Sequence, residues 1–242
     1  MTPDAGRLMQ ALAATWPPVC WHEVAGWRIG EGAGGGQRVS AARAVVADPD
    51  MAAMEAAQAR LGQSALVQVG PGEEALDAAL AARGYRLQDE TVLLAAPAGA
   101  LWHVPPRVTV FEVDRPALVA QREVWAAEGV DPARLAVMAR APAPCATLMG
   151  RLDDTPAAAA FVAVAGELAF LHALAVLPDK RRRGLAGHLV AAAAGFALRH
   201  GARTLATATV SRNAAARALF AGLGMAEAGR YHYRLKSGPE PR

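Results

Sequence analysis

The sequence predicts an α/β protein, because segments with the apolar pattern of strands alternate with segments patterned like helices along its 242 residues. The clearest pair lies within 168–201, where an apolar run of strand length ends before Pro178 and a largely apolar helix pattern begins after Gly184. Gly201 then stands where a helix commonly ends on a glycine. A hydrophobic content of 53% suffices for the core of such a fold.

The first hundred residues carry a series of short elements. The pattern predicts a helix in 1–16, strands over 19–29 and 37–46, a helix over 49–61, a strand over 64–69, a helix over 73–83 and an extended segment over 85–94. The loop after the first strand contains Gly30-x-Gly32-x-x-Gly35, which matches the dinucleotide-binding pattern. Strand-like residues follow where a helix should begin, so we interpret it as a flexible hairpin loop.

A second series of elements follows a linker predicted at 97–106. The pattern predicts a strand over 107–113, helices over 116–128 and 132–140, strands over 145–151 and 157–165, the strand and helix described above, and a strand over 204–210. Asp153-Asp154 and Gly166-Glu167 have suitable chemistry for turns between neighbouring strands. The linker divides the chain into domains at 1–96 and 107–242.

The two halves show a repeat. When the C-terminal half is shifted back by 140 positions, Thr204–Val210 falls on residues 64–70 and residues 217–225 fall on residues 77–85. Strand, helix, glycine and large apolar residue recur in the same order. The N-terminal half lacks the eight residues that correspond to the basic turn of the C-terminal half. It is predicted to be a degenerate copy, and a coincidental alignment of alanine-rich segments is the alternative.

Composition excludes several classes of protein. The formal net charge of +3 comes without a basic stripe interleaved with aromatic residues, so a nucleic-acid partner is not expected. Cys20 and Cys145 provide neither a disulfide framework nor a metal-binding CxxC pattern. Residues 157–177 are long enough to span a membrane, but Glu167 and His172 within them favour a hairpin. We therefore expect a cytoplasmic protein without a metal or a membrane partner, as a monomer or homodimer.

Four cations precede the helix that starts after Gly184. Lys180 and residues 181–183, all arginine, oppose the helix dipole at that position unless an anion occupies the turn. With an anion bound, the cations, the dipole and the free amides act together. Gly184 lets the backbone approach the anion, and Ala186 and Gly187 keep the first helical turn open. A solvated basic loop is the alternative.

The segment Arg181-x-x-Gly184-x-Ala186, after a strand ending in Ala-Val-x-Pro, resembles the pyrophosphate-binding signature of the GNAT superfamily of acyl-CoA-dependent N-acyltransferases. Downstream, the segment from Asn213 to Phe220 and the Gly-Leu-Gly-Met that ends at Met225 resemble the family's Asn-x-x-Ala-x-x-Leu-Tyr…Gly-Phe pattern. The resemblance covers 107 to the C-terminus. It implies the GNAT fold, a mixed central sheet flanked by helices, and makes the N-terminal half a degenerate GNAT-like domain.

The resemblance also implies acetyl-CoA as cosubstrate. It assigns the pyrophosphate to the basic turn and the pantetheine arm to the end of the preceding strand, where a backbone N–H can stabilise an oxyanion. The residues implied in cofactor binding are Leu174, Ala175, Val176, Arg181, Arg182, Arg183, Gly184, Leu185, Ala186, Gly187, Asn213 and Phe220.

His172 is the first candidate for the base that deprotonates the acceptor amine. Strand alternation places it on one face with Leu174 and Val176, and its ordinary pKa of about 6.5 suits the role. A core histidine satisfied by a backbone carbonyl is the alternative, and Glu167 is a second candidate base. Phe220 stands where the family has a tyrosine hydroxyl, so either the thiol, with a pKa of about 8.5, leaves unaided as a thiolate or Tyr231 or Tyr233 supplies the proton.

These features predict an N-acetyltransferase that transfers an acetyl group from acetyl-CoA to a primary amine of a small molecule or a protein. The alternative is a catalytically weakened CoA-binding sensor or interaction module, in which the missing hydroxyl reflects lost catalysis. Glu123, Glu128 and Asp131 lie on the segment that the family uses to cover the acceptor. They either receive a cationic substrate or are simply solvated.

Overall fold

The computed structural model describes residues 3–114 and 117–236, which form one open mixed sheet with helices on both faces. The strands in this part of the chain are β1 Trp21–Val24, β2 Trp27–Gly30, β3 Ala42–Ala44, β4 Leu66–Val69, β5 Tyr85–Pro97, β6 Val110–Val113, β7 Cys145–Leu152, β8 Thr155–Ala165, β9 Leu168–Val176, β10 Thr204–Val210 and β11 Ala226–Lys236. The helices are α1 Ala5–Thr15, α2 Gln37–Ser40, α3 Met51–Arg60, α4 Glu74–Ala82, α5 Ala98–Leu101, α6 Val119–Ala127, α7 Pro132–Arg140, α8 Leu185–Arg199 and α9 Ala214–Gly222.

The strand order shows that the two halves exchange their last strands. The order is β1-β2-β3-β4-β11-β5-β10-β9-β8-β7-β6. β5, from the N-terminal half, pairs antiparallel with β10, and β11, from the C-terminal half, pairs antiparallel with β4. β3 and β4 are parallel to each other, as are β9 and β10. The order is therefore approximately symmetric about the β5–β11 pair. The symmetry relates β4 to β10 and β5 to β11, and the 140-residue shift of the sequence relates the same strands.

The helices divide between the two faces of the sheet. α5, α8 and α9 cover one face of the C-terminal half, and α3 and α4 cover the same face of the N-terminal half. α1, α2, α6 and α7 lie on the opposite face. Along β5 the alternation is clear, since Val92 and Leu94 face α8 while Leu93 and Ala95 face α1. No helix in the described ranges is long and apolar enough to cross a membrane.

α8 begins and ends on glycines in the left-handed region. Gly184 has a φ of 82° at the N-cap, and Gly201 has a φ of 82° after the C-terminus. Small residues let the helix lie close to its neighbours. A Cβ on Gly195 would come within 2.9 Å of the Trp102 ring. The helix fills the core between the sheet and α5 with Leu189, Phe196 and a series of buried alanines.

Most predicted elements are confirmed within a few residues, and the N-terminal hairpin is the main correction. The strand predicted over 19–29 is two strands, β1 and β2, because Ala25 and Gly26 adopt positive φ and turn the chain. The strand predicted over 37–46 is wrong for its first part, where α2 forms before β3. The start predicted for α6 at Pro116 lies outside the described residues.

The glycine-rich loop is a packed turn rather than a flexible one. It does lead into the short helix α2, contrary to the expected strand. A Cβ on Gly30 would meet the Val39 carbonyl oxygen at 2.2 Å, and a Cβ on Gly35 would meet Val137 of α7 at 2.6 Å. These glycines are therefore required by close packing against α2 and α7. At four residues, α2 is too short to present the aligned dipole of a dinucleotide-binding helix.

Residues predicted as a linker have structure of their own. Pro97 ends β5, and Ala98 and Leu101 of α5 are buried against α8. The Ala98 amide donates to the Arg203 carbonyl, which fixes α5 to the start of β10. The connection between the halves is thus built into the C-terminal core.

Candidate active site

The turn between β9 and α8 presents a row of unpaired backbone amides. A short 3-10 turn, Pro178–Lys180, leads from β9, and Arg182 and Gly184 then adopt φ values of 64° and 82°. None of the amides of residues 182–186 donates to another residue of the described chain. These amides lie at the N-terminus of a fifteen-residue helix, where the dipole favours an anion.

Ion pairs hold three of the four cations of the turn. Arg181 donates from Nε to the Val176 carbonyl at 3.0 Å and from its guanidinium to Glu128 at 2.5 Å. It therefore ties the turn to the end of β9 and to α6. Arg183 contacts Asp153 at 3.0 Å, and Lys180 lies 3.2 Å from Asp179. Arg182 has no carboxylate partner in the described ranges and stays available to an anion.

A cavity of about 380 Å³ opens beside this turn. Arg183, Leu185 and His188 line it on the helix side, and the β7–β8 turn lines the other side. Sequence reasoning missed His188, although it lies on the first turn of the helix that follows the basic residues. Its Nδ1 is buried without a partner among the described residues. Burial lowers the pKa of His188, and His103, with ring centroids 5.8 Å apart, lowers it further.

The ladder between β9 and β10 ends before either strand does, and we call the space between their unpaired ends the cleft. They pair only from Leu168 to Leu171 on β9 and from Thr204 to Thr207 on β10. The Thr207 hydroxyl donates to the Leu171 carbonyl at 3.0 Å and closes the paired part. Beyond it the two strands form no ladder with each other, so their facing edges can hydrogen-bond an inserted chain that carries amides.

A bulge in β9 changes which of its side chains face α8. His172 pairs with Phe161 and Ala175 pairs with Ala159, so two residues of β9, Ala173 and Leu174, oppose one residue of β8. Ala173, with a φ of 48°, takes up the extra residue. Its carbonyl accepts a 2.8 Å hydrogen bond from the indole of Trp125.

The prediction that His172, Leu174 and Val176 share a face is therefore wrong. The bulge shifts the alternation by one residue, so Leu174 and Val176 pack towards α8 with Leu171. His172 faces the opposite side, where Trp16 of the α1 segment covers it. The backbone of Leu174–Val176 borders the cleft, while the imidazole lies on the face of the sheet opposite α8.

His172 is a buried, neutral histidine. It is 4% exposed, and its Nε2 lies 3.0 Å from the Thr15 hydroxyl. Because Thr15 donates to the Ala11 carbonyl at 2.8 Å, His172 Nε2–H is the donor and Nδ1 carries the lone pair. Burial holds the pKa of His172 well below 6.5, and the nearby Arg38 lowers it further. Its hydrogen-bond partner is a side chain rather than the backbone carbonyl considered from sequence.

Tyr231 lies in the same region as His172, and Glu167 does not. Tyr231 is 2% exposed, its hydroxyl lacks a hydrogen bond of ordinary geometry within the described ranges, and its ring packs edge-on to Tyr233. Arg38 is an electrostatic neighbour of His172 and of both tyrosines, and so links them. Glu167 is exposed at the hairpin turn before β9, close to Arg7 and Arg203. Glu167 and His172 are five positions apart along the chain, roughly 17 Å in a strand.

The downstream residues lie where α9 approaches α8. The side-chain oxygen of Asn213 caps α9 by accepting from the Ala216 amide at 3.0 Å, which leaves its NH₂ group free to donate. Phe220 is 4% exposed and packs in the core beneath α8.

Two carboxylates proposed to meet a cationic acceptor are used elsewhere. Glu128 binds Arg181, and the Asp131 side chain caps α7 by accepting from the Arg134 amide at 2.8 Å. Glu123 is exposed on α6.

A cluster of three possible metal ligands lies far from the cleft. Cys20 Sγ, His22 Nε2 and Glu31 Oε2 lie 3.1–3.2 Å from one another on the β1–β2 hairpin. The hydrogen bond to Glu31 raises the pKa of the Cys20 thiol. β1 is the edge strand and lies six strands from β10, about 29 Å at the usual strand spacing. This cluster is separate from the candidate active site.

The comparisons agree with this architecture. Residues 109–225 match the family model described as "Acetyltransferase (GNAT) family". The whole chain is similar to a GCN5-related N-acetyltransferase from Kribbella flavida, with a TM-score of 0.68 and 18% identity over 97% of this chain and 96% of that one. It is also similar to a functionally unknown conserved protein from Staphylococcus epidermidis ATCC 12228, with a TM-score of 0.65 and 11% identity over 89% and 92% of the two chains.

A third similar structure is described as a tandem GNAT protein from the clavulanic acid biosynthesis pathway. Its TM-score is 0.56, at 17% identity over 79% of this chain and 69% of that one. No curated protein sequence matches the chain.

Proposed function

We propose that this chain, whose residues 109–225 match the GNAT acetyltransferase family model, is an acyl-CoA-dependent N-acyltransferase that transfers an acetyl group from acetyl-CoA to a primary amine. The observation that carries this proposal is the position of the basic turn. The unpaired amides of residues 182–186 lie at the end of β9, where β9 and β10 part. A diphosphate fits the unpaired amides of the turn, and an amide-bearing arm fits the unpaired edges of β9 and β10.

The residues of the turn would hold the diphosphate of acetyl-CoA. Backbone amides and the α8 dipole supply most of the binding, while Arg182 and Arg183 add charge. Arg181 keeps the turn in place through Val176 and Glu128. Leu174–Val176 would bind the pantetheine arm along the open edge of β9, and Asn213 would donate to it from the α9 side. When bound, acetyl-CoA supplies a thioester whose thiol leaves readily, with a pKa of about 8.5.

The acceptor amine must lose a proton before or during its attack on the thioester carbon. His172 Nδ1 is the lone pair on the acceptor side of the sheet, so we keep His172 as the proposed base. The nitrogen–carbon bond forms, the carbon–sulfur bond breaks, and the amine proton passes to the base. Tyr231 is the proposed donor to the leaving thiolate, because Phe220 carries no hydroxyl. An amide of the Ala173–Ala175 segment stabilises the developing oxyanion.

The N-terminal half, residues 1–96, is proposed to be a degenerate copy of the domain at 107–242, with 97–106 between them. The symmetric strand order supports this interpretation. Where the second half has the basic turn and α8, the first half runs from β3 directly into α3. The first half therefore offers no counterpart of the cofactor turn. We further propose a cytoplasmic protein that acts as a monomer or homodimer on a small-molecule or protein amine, without a nucleic-acid partner.

The proposal is tested by incubating the protein with labelled acetyl-CoA and a panel of primary amines. We expect amine-dependent release of CoA thiol and a labelled product heavier than the acceptor by one acetyl group. Binding of acetyl-CoA without any amine-dependent release would favour the alternative, a CoA-binding sensor.

A further inference from the structure

The sheet face opposite α8 contains a group of buried polar side chains without partners. Gln68 is 2% exposed, and neither of its amide atoms has a hydrogen bond within the described ranges. The Tyr231 hydroxyl and the Nε atoms of Arg38 and Arg43 are likewise buried without a hydrogen bond of ordinary geometry in the described ranges, although the Arg38 guanidinium lies close enough to interact with the hydroxyls of Tyr231 and Tyr233. Buried polar atoms are nearly always satisfied in folded proteins. Several unsatisfied ones at a single place indicate that something else completes them. We call these four residues with Tyr233 the arginine cluster.

Strand register holds the cluster together. Tyr233 pairs with Gln68 across β11 and β4, and both side chains point to the same face. Arg43 projects from β3 on that face, with its guanidinium 5.2 Å from the centre of the Trp21 ring. Arg38 comes from α2 above the sheet and is an electrostatic neighbour of Tyr231, Tyr233 and Arg43.

The cluster carries two positive charges that no acidic side chain balances. No carboxylate of the described chain forms an ion pair with Arg38 or Arg43, whereas the neighbouring Arg28 is paired with Glu23 at 2.7 Å. The other titratable neighbour, His172, is neutral. Both arginines are half-buried with their Nε atoms fully covered, and a planar carboxylate is the group that matches the fork of donors of a guanidinium.

The cluster lies beside the candidate reaction centre. Tyr231 pairs with Thr91 of β5, which pairs with Val210 at the end of β10, so the tyrosine lies level with the open cleft. Arg38 adjoins His172, the residue before the bulge. The cofactor turn lies on the α8 side, so an acceptor must approach the thioester from the face that holds the cluster.

We propose that the acceptor is an amine that also carries a carboxylate, and that Arg38 and Arg43 bind this carboxylate with help from Gln68 and Tyr233. This inference rests on the proposed acetyl transfer and names the substrate class for that same site. It also gives the N-terminal half a role, because Arg38, Arg43 and Gln68 belong to that half and serve the reaction centre of the other.

The first experiment compares pairs of amines that differ only in the carboxylate: phenylalanine with phenethylamine, and lysine with cadaverine. We expect kcat/KM to be at least tenfold higher for the carboxylated member of a pair that is accepted. Phosphoethanolamine against ethanolamine tests for a phosphate, and a preference confined to that pair would overturn the carboxylate assignment. Equal rates, or faster acetylation of the amines without a carboxylate, would overturn the proposal as well.

Variants test the residues. Arg38→Gln and Arg43→Gln are expected to lower kcat/KM for the carboxylated amine at least tenfold more than for its partner amine. Arg28→Gln is the matched control, since Arg28 is exposed and already paired with Glu23. This variant should prefer the carboxylated amine as strongly as the wild type does. Arg38→Lys keeps the charge and is expected to retain part of the preference if Arg38→Gln does not fold. A preference that survives both glutamine variants would overturn the assignment.

A binding measurement separates this inference from the proposed function. N-acetylphenylalanine should raise the melting temperature of the wild type and of Arg28→Gln, but not that of Arg43→Gln. The uncharged N-acetylphenethylamine should raise it less. This result would support the carboxylate site even if no turnover were found. If the protein acetylates amines but shows none of these differences between ligands or variants, the proposed function stands and the carboxylate site is rejected.

Discussion

At the scale of single residues, His172 shows that the role of a candidate catalytic residue depends on the tertiary structure around it. The sequence correctly places a histidine in the strand beside the basic turn. A single extra residue, Ala173, reverses the face on which the following side chains lie, and strand alternation contains no sign of it. Thr15, the partner of His172, is 157 residues away in sequence. Burial is the main cause of the lowered pKa of His172 and the nearby Arg38 adds to it, and both are set by tertiary structure.

The role of His172 is tested by two substitutions. His172→Ala is expected to lower kcat/KM by about 10² or more, with little change in acetyl-CoA affinity, as for a general base. Thr15→Val removes only the hydrogen bond with His172 Nε2 and should lower kcat/KM less than His172→Ala does. Because the base acts unprotonated and its pKa lies well below 6.5, the wild-type rate should stay level from pH 8 to pH 6.5 and fall only below that. An unchanged rate–pH profile in His172→Ala would move the role to another residue.

At the scale of elements, sequence patterns predicted most helices and strands but not the short ones. β9, β10 and α7 were predicted with their observed limits, because long apolar runs, a proline and an aspartate cap mark them. The β1–β2 turn at Ala25-Gly26 and the four-residue α2 were missed. An alanine at positive φ carries no sequence signal, and four residues are too few to show a period. Part of the positive charge of the candidate acceptor site depends on that short helix, since it carries Arg38.

An ion pair joins α4 of the N-terminal half to β11 of the C-terminal half. Asp77 of α4 accepts from Arg234 Nε and His232 Nε2 of β11, at 2.7 Å and 2.6 Å. The Arg234 hydrogen bond is the main cause that lowers the pKa of Asp77 from 3.8 to about 2. A depressed carboxyl pKa contributes stability above the unfolded value, and the contribution is lost as pH falls from 3.8 through about 2.

We expect Asp77→Asn to lower the free energy of unfolding by about 2 kcal/mol at pH 7 and by roughly half as much at pH 3. Urea unfolding at the two pH values measures this. Glu74→Gln, which removes an exposed carboxylate from the same helix, is the control and should change stability by no more than about 0.5 kcal/mol. Equal losses for Asp77→Asn at both pH values would show that the ionised pair is not the cause.

At the scale of the whole molecule, the exchange of β5 and β11 makes one sheet from two similar halves. Sequence reasoning found the repeat but not the exchange. The last strand of each half, β5 or β11, could equally pair within its own half. The hydrophobic pattern of the strand is the same whether it is exchanged or not. The exchange brings Tyr231 and Tyr233 next to Gln68 and Arg43 of the first half. The candidate acceptor site therefore exists only in the assembled chain.

The two halves are expected to differ in cofactor binding. Only the second has a basic turn before a long helix, so calorimetric titration with acetyl-CoA should give one site per chain. The same stoichiometry should hold with CoA. Two sites per chain, or a crystal soaked with acetyl-CoA that shows both halves occupied, would contradict the interpretation of the first half as degenerate.

The most direct test of the account is the effect of acetyl-CoA on the melting temperature. At a concentration about 100 times Kd, the ligand should contribute roughly 2.7 kcal/mol, a rise of about 5–10 °C for a chain of this size. Gly184→Val should abolish most of the rise, because a branched side chain blocks the amides of the turn. Gly201→Val is the matched control, with the same φ of 82° at the other end of α8, and should keep the rise. A wild type whose melting temperature is indifferent to acetyl-CoA, CoA and longer acyl-CoAs would contradict the assignment of the turn.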